Sequence, residues 1–413
     1  MISACGKVQK VELRELSWDT YVDKVKGGWL GEVIGVQFGE ATEGKFSGKI
    51  IPFEMPSYMK LSTKAQAQLD KTKPKDPKAR EKRSAIFENV KNWESFTPEG
   101  GPDQDDIYVE LTFLAPIRNF GLTVTAQQAA QVWLDNLDEK RIWVANRAAF
   151  ENFKKGIFPP ASGHPDNNQY WDQIDFQIES DLFGLIAPGL PQVSNQWCDK
   201  FGHMMNFGDG VYGGIFVAGM YTQAFFENNP VELVKWGLQC IPAESRYAEM
   251  IRDLLGWRDK YPEWTDAWKE LEKKYGVKPD GKPISGVDVV INGAYIVMGL
   301  LYGGGDFHKT MEISSRCGRD SDCNPSNSAG IIGCVLGANQ IPPQWKDPIR
   351  NYIKNSTLPK LYPEKINLDD LTAWTADIGK EIVVSAGGSF KDNKLFIPVQ
   401  VPIAPVLESP STK

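Results

Sequence analysis

The sequence predicts an all-α protein with a small C-terminal β appendage. Three observations carry that expectation. Apolar residues recur at helical spacing along most of the chain, helix start and stop signals punctuate them, and strand-like patterning occurs only near the end. In chain order, Trp18, Tyr21, Val22 and Val25 fall at i, i+3, i+4 and i+7 and open a helix that Gly27, Gly31 and Gly35 continue. Those glycines lack the preceding strand and the G-x-G-x-x-G spacing of a dinucleotide loop, so they read as a close helix contact. Thr125 with Gln128 makes a capping box, and Asn229-Pro230 starts the stripe Val231, Val234, Leu238 and Ile241. Trp264, Trp268, Leu271 and Tyr275 precede Gly276, and Leu371, Trp374, Ile378 and Ile382 run to Gly387-Gly388. Lys391 to Lys394 turns a hairpin into Leu395-Phe396-Ile397. The apolar runs Gly210 to Phe226 and Val287 to Leu301 are broken by polar residues and fall short of the ~20 residues of a membrane span, so they read as buried helices.

Composition narrows the function classes. The 413 residues are 41% hydrophobic and 24% charged, which suits a large globular core. A net charge of −7 argues against a nucleic-acid partner. The chain divides into an N-terminal tail (1–17), one helical domain (18–385) with a basic insertion at 60–83, and a β-like extension (386–413). The insertion holds nine basic and three acidic side chains without interleaved aromatics, so it reads as a solvated segment. Ile2 to Gly6 has the form of a lipoprotein cleavage box around Cys5. If the gene begins upstream, the protein is exported and lipid-anchored; otherwise the segment is an ordinary tail and the protein cytoplasmic.

Six cysteines without a CxxC pair and three histidines exclude an ordinary zinc site, so a metal here is held by oxygen. Asp103, Asp105 and Asp106 precede an apolar helix, where aspartates also serve as caps. Asp320 and Asp322 occupy a glycine-flanked loop before a second helix, a spacing that suits Mg²⁺, Mn²⁺ or Ca²⁺. An EF-hand is excluded, because its glycine and glutamate positions fall on Pro325 and Ile331.

Taken in order, these blocks resemble the ADP-ribosylglycohydrolase family. The matches are Gly28-Trp29-Leu30-Gly31 through Ala41-Thr42-Glu43-Gly44, Gly101 to Tyr108, Ile178 to Gly184 with Ala187-Pro188-Gly189, His203 with Gly210 to Gly213, Tyr302 to Phe307, and Gly318 to Gly337. The resemblance implies an orthogonal helical bundle with two Mg²⁺ in a cleft, Mn²⁺ being the substitute. Asp105, Asp106, Asp320 and Asp322 would be the metal ligands, Glu43 and Asp106 the catalytic carboxylates, and His203, Tyr212 and Tyr170 the substrate contacts. The chain departs from the family at Gln104, Ile107 and Cys323, where threonines are usual.

The implied activity is hydrolysis of a ribosyl bond in a small-molecule or glycan substrate carrying a furanose ring. Two alternatives stand beside ADP-ribosyl hydrolysis: a glycosidase for a pentofuranoside without the nucleotide, and a ligand-binding protein without turnover, motivated by the lost hydroxyls.

Overall fold

Ser17 starts the first helix by accepting a hydrogen bond from Thr20 N (3.1 Å), and the helix runs from Trp18 to Gly39. From Tyr21 onward its core-facing residues are buried, and Gly27 to Gly39 is buried on every side. Such a helix needs partners all round. One is the equally buried helix Cys323–Leu336. The glycines make that pairing possible: a Cβ on Gly31 would overlap the Ala329 carbonyl, and one on Gly333 the Gly27 carbonyl. The computed structural model describes residues 12–72, 78–278 and 281–409.

Around this pair the chain forms an all-α bundle. Asp209–Ala224 and Val289–Gly303 are central helices buried along nearly their whole length. Trp264–Tyr275 is peripheral and buries only Ala267, Leu271 and Tyr275. The start signals act as their chemistry requires. Thr125 and Gln128 form both halves of the capping box, and Asn229 Oδ1 accepts from Val231 N (3.0 Å) ahead of a helix beginning at Pro230. No helix among the described residues is long and apolar enough to cross a membrane.

The β appendage differs from expectation in its membership. Asp392 and Asn393 take positive φ (51° and 57°) and close the hairpin Ser389–Lys391 with Lys394–Pro398. A third strand, Leu13–Ser17, completes the sheet antiparallel to Lys394–Pro398, with Leu13 opposite Pro398 and Ser17 opposite Lys394. Residues 13–17 are therefore not a tail. A lone hairpin is marginal in water, and the added strand helps Leu16, Leu395 and Ile397 to be buried together.

The basic insertion holds secondary structure of its own. It contains the helix Thr63–Asp70 and reaches into Ala79–Glu88, while Met59–Leu61 pairs with Trp93–Ser95. Leu69, Ala79, Phe87 and Trp93 anchor the region to the core. Most other described side chains of 60–83 are exposed, as its charge implied. Cys5, Pro74 and Pro77 lie outside the described residues.

Beyond Pro398 the chain crosses the helix Pro191–Gly202 as an extended strap. Gln192 N donates to Gln400 Oε1 (3.2 Å), Gln192 Nε2 to Val401 O (2.9 Å) and Asn195 Nδ2 to Ile403 O (3.0 Å).

Candidate metal centre and its cleft

Asp103, Asp105 and Asp106 are not interchangeable caps. Gln104 stands at the N-cap of the helix Asp105–Phe120 and makes no side-chain capping bond. Asp103 turns away and ties three segments together: its Oδ2 accepts from Arg141 Nη2 (3.1 Å), Ser356 N (3.0 Å) and Thr357 Oγ1 (3.0 Å). That anchor fixes the start of the helix, where Asp105 also accepts from first-turn backbone N–H groups and Asp106 has no hydrogen-bond partner.

The second aspartate loop is held just as firmly. Gly318 (φ 88°) and Arg319 (φ 56°) turn the chain through the left-handed region, which costs a β-carbon residue such as arginine strain. Arg319 is pinned by Glu272 through Nη2–Oε2 (2.7 Å) and Nε–Oε1 (3.2 Å). The Glu43 loop is fastened to this one, because Thr42 Oγ1 and Ser321 Oγ share a hydrogen bond (3.0 Å) and Gly44 N donates to Arg319 O (3.1 Å).

These supports bring the two pairs together. One oxygen each from Asp105 and Asp106 lies within 4.8 Å of the other and of Cys323 Sγ, and the same holds for Asp320, Asp322 and Cys323. Cys323 thus stands between the pairs, with its Sγ 3.7 Å from Asp322 Oδ1. Both carboxylate oxygens of Asp106 and Oδ2 of Asp320 are buried without a hydrogen-bond partner. Burial, then the neighbouring carboxylates, pushes Asp106 and Asp322 far above the usual carboxylate range. Burial is also the main cause for Asp105, raised to about 6, and Asp320, raised to about 8. Unpaired buried carboxylates are costly, and bound cations remove that cost. The donor set fits hard divalent cations: four carboxylates converge, and among the described residues no lysine or arginine lines the cleft.

The cleft encloses about 480 Å³. Glu43, Asp105, Asp320 and Asp322 line its acidic side, whereas Asp106 is buried and does not line it. The catalytic role expected of Asp106 therefore has no open face to the cleft behind it. The remaining wall includes Trp143, Val144, Ile174, Asp175 and Val287. Asp175 Oδ1 accepts from Asn146 N (2.9 Å), its Oδ2 has no partner, and burial raises it to about 7.

The three expected substrate contacts are not brought to this cleft. His203 lines a separate cavity with His164, Phe207 and Glu408, and its Nε2 meets Glu408 Oε1 (2.9 Å). The Tyr212 hydroxyl accepts from Glu408 N (2.6 Å). The C-terminal strap occupies both side chains, which the sequence could not foretell because some two hundred residues intervene. Tyr170 sits half-exposed on a turn and is not among the lining residues. Sequence reasoning in turn missed Trp143, Val144 and Asp175. Asp175 stands three residues before the quoted block at Ile178, which was its one available signal; Trp143 and Val144 carried none.

The ADP-ribosylglycohydrolase family profile matches residues 17–375. No curated protein matches the chain in sequence. A solved structure described as an ADP-ribosylglycohydrolase-related protein complex superposes with a TM-score of 0.51 at 14% identity, covering 87% of this chain and 98% of its own. At that identity the likeness concerns the fold.

Proposed function

The chain belongs to the ADP-ribosylglycohydrolase family, and from that premise we propose that it is a divalent-metal-dependent hydrolase of an ADP-ribosyl-type glycosidic bond. The observation that carries this reading is the meeting of Asp105 and Asp106 with Asp320 and Asp322 around Cys323. Asp105 and Asp106 would hold one cation and Asp320 and Asp322 a second, Mg²⁺ by preference and Mn²⁺ as its substitute. Such ions supply Lewis-acid polarisation and orientation of oxygen ligands, including the vicinal hydroxyls of a furanose. Glu43, exposed on the acidic side, is the carboxylate left over for proton transfer: it takes a proton from the attacking water as the water oxygen bonds to the anomeric carbon, and the leaving atom takes a proton from a cleft water as the old bond breaks. Val144, Ile174 and Val287 present an apolar wall beside the acidic side.

Cys323 and Gln104 stand where hydroxyl ligands are usual, so this centre relies more heavily on its carboxylates. The pentofuranoside reading keeps the same centre, and it is favoured by the lack of a lysine or arginine among the described lining residues. The deciding experiment offers the protein an ADP-ribosylated protein and nitrophenyl ribo- and arabinofuranosides, each with Mg²⁺ or with chelator. Release of ADP-ribose only with Mg²⁺ supports the first reading, and nitrophenol release alone supports the second. No turnover of any substrate in Mg²⁺ contradicts both.

A further inference from the structure

Trp143 is the exposed aromatic of the cleft. Its relative exposure is 48%, whereas Trp29, Trp133 and Trp345 are fully buried. Among the described residues it has no ring, cation or side-chain hydrogen-bond contact, although it lines the same space as Glu43 and Asp105. A large apolar ring left in water is unfavourable, and here the surrounding structure enforces it.

Val144 adopts φ 42°, a left-handed conformation that a β-branched residue rarely takes. Strain of this kind persists only where neighbours over-determine it. They do so on both sides. Before the ring, Ile142 is buried, and the Arg141 carbonyl accepts from the Tyr108 hydroxyl while its guanidinium is paired with Asp103 (3.1 Å). After it, Asn146 N donates to Asp175 Oδ1 (2.9 Å) and Asn146 Nδ2 to Glu179 Oε1 (2.5 Å), which fixes the first turn of the helix Val144–Lys154. The backbone is clamped at each end while nearly half of the residue stays exposed.

We propose that Trp143 is the stacking platform of this cleft and takes the flat face of an uncharged ring that the substrate carries beyond the reacting furanose. The inference rests on the hydrolase reading above and adds to it the chemistry of the substrate beyond the furanose. An indole face accepts a nucleobase by π-stacking and a sugar by its C–H face, so either source satisfies the geometry.

The test is calorimetric binding to the Mg²⁺-loaded protein, compared for wild type, Trp143→Phe and Trp143→Ala. The ligands are ADP-ribose, an arabinofuranosyl disaccharide and ribose 5-phosphate, with the Mg²⁺ affinity of each variant measured separately. Trp143→Ala is expected to weaken a ring-bearing ligand roughly tenfold or more, and Trp143→Phe to retain most of the affinity. Ribose 5-phosphate and Mg²⁺ should bind all three proteins alike, since neither needs the platform. Selective loss of ADP-ribose identifies a nucleobase, and selective loss of the disaccharide a second sugar. Equal binding of every ligand by wild type and Trp143→Ala overturns the proposal. So does a wild-type protein that binds Mg²⁺ but neither ring-bearing ligand. Failure to bind Mg²⁺ at all overturns the hydrolase reading instead, and the platform with it.

Discussion

Gly39 and Ser321 stand so close that a Cβ on Gly39 would overlap the Ser321 carbonyl oxygen. Gly39 ends the first helix just before the Glu43 loop, and Ser321 lies between Asp320 and Asp322. The helix contact and the acidic centre are therefore one construction, with the glycine ladder setting the distance between Glu43 and the second aspartate pair.

Gly39→Ala should accordingly lower stability by about 1–3 kcal/mol or more, because backbone rather than a flexible side chain must move. Gly256→Ala is the matched control. It lies in the exposed interior of the helix Arg246–Lys260 with open space around it, and should gain about 0.5–1 kcal/mol. Thermal denaturation of both variants checks the pair, and similar shifts in the two would contradict the packing account.

Asp106→Asn should weaken divalent-cation binding on the order of a hundredfold. In chelator the same variant should be as stable as wild type or more so, since an amide is neutral without taking up the proton that the buried carboxyl needs. Calorimetric titration with Mg²⁺ and melting curves in chelator read the two effects apart. A variant that unfolds in chelator would make Asp106 a structural residue.

Stability of the metal-free protein should fall as pH rises from about 4 to 8. Burial raises Asp175 and Asp181 to about 7 in the folded chain, against about 4 when unfolded. The folded state thus binds these protons more tightly. Their contribution is complete below the unfolded value and is lost as pH climbs through the folded one, on the order of a few kcal/mol for each group. Melting temperatures in chelator across that range check it, and a flat or rising profile would contradict it.

The C-terminal strap should be held most firmly between the ordinary glutamate and histidine values, roughly pH 4.5 to 6.5. His203 Nδ1 faces the Asp199 carbonyl (2.7 Å) and Nε2 the Glu408 carboxylate (2.9 Å), both pure acceptors, so the ring carries two protons. Burial works against that charge, but Glu408 and Asp199 prevail and raise His203. Burial likewise opposes the Glu408 charge, which His203, the Gly208 N–H and the more distant His164 sustain, so that Glu408 is lowered. The histidine's contribution is lost as pH rises through its folded value, and the glutamate's as pH falls through its own. Hydrogen exchange of residues 399–408 at pH 6 and pH 9 measures this, with His203→Gln expected to resemble the pH 9 state at both.

How much of this was legible in the sequence follows from the range of each interaction. The capping box at Thr125, the stop after Tyr275 and the turn at Asp392-Asn393 depend on neighbours a few residues apart, and all three read correctly. The glycine spacing announced a close helix contact, although its partner helix lies some three hundred residues away. The strand at Leu13 was illegible because its pattern has meaning only beside Leu395 and Ile397. His203 failed for a related reason: its motif position suggested the cleft, while Glu408, far along the chain, decides where its ring points. Trp143 had no signature, since an exposed tryptophan and a buried one look alike until the backbone on either side is fixed.

The central claim is that the two aspartate pairs form one divalent-metal centre, and anomalous scattering from crystals soaked in Mn²⁺ tests it most directly. Two peaks are expected, one against Asp105 and Asp106 and one against Asp320 and Asp322, with metal–oxygen distances near 2.2 Å. Both peaks should vanish on exchange into chelator. A cleft without manganese at millimolar concentrations, or a peak held by residues outside these four, would contradict the account.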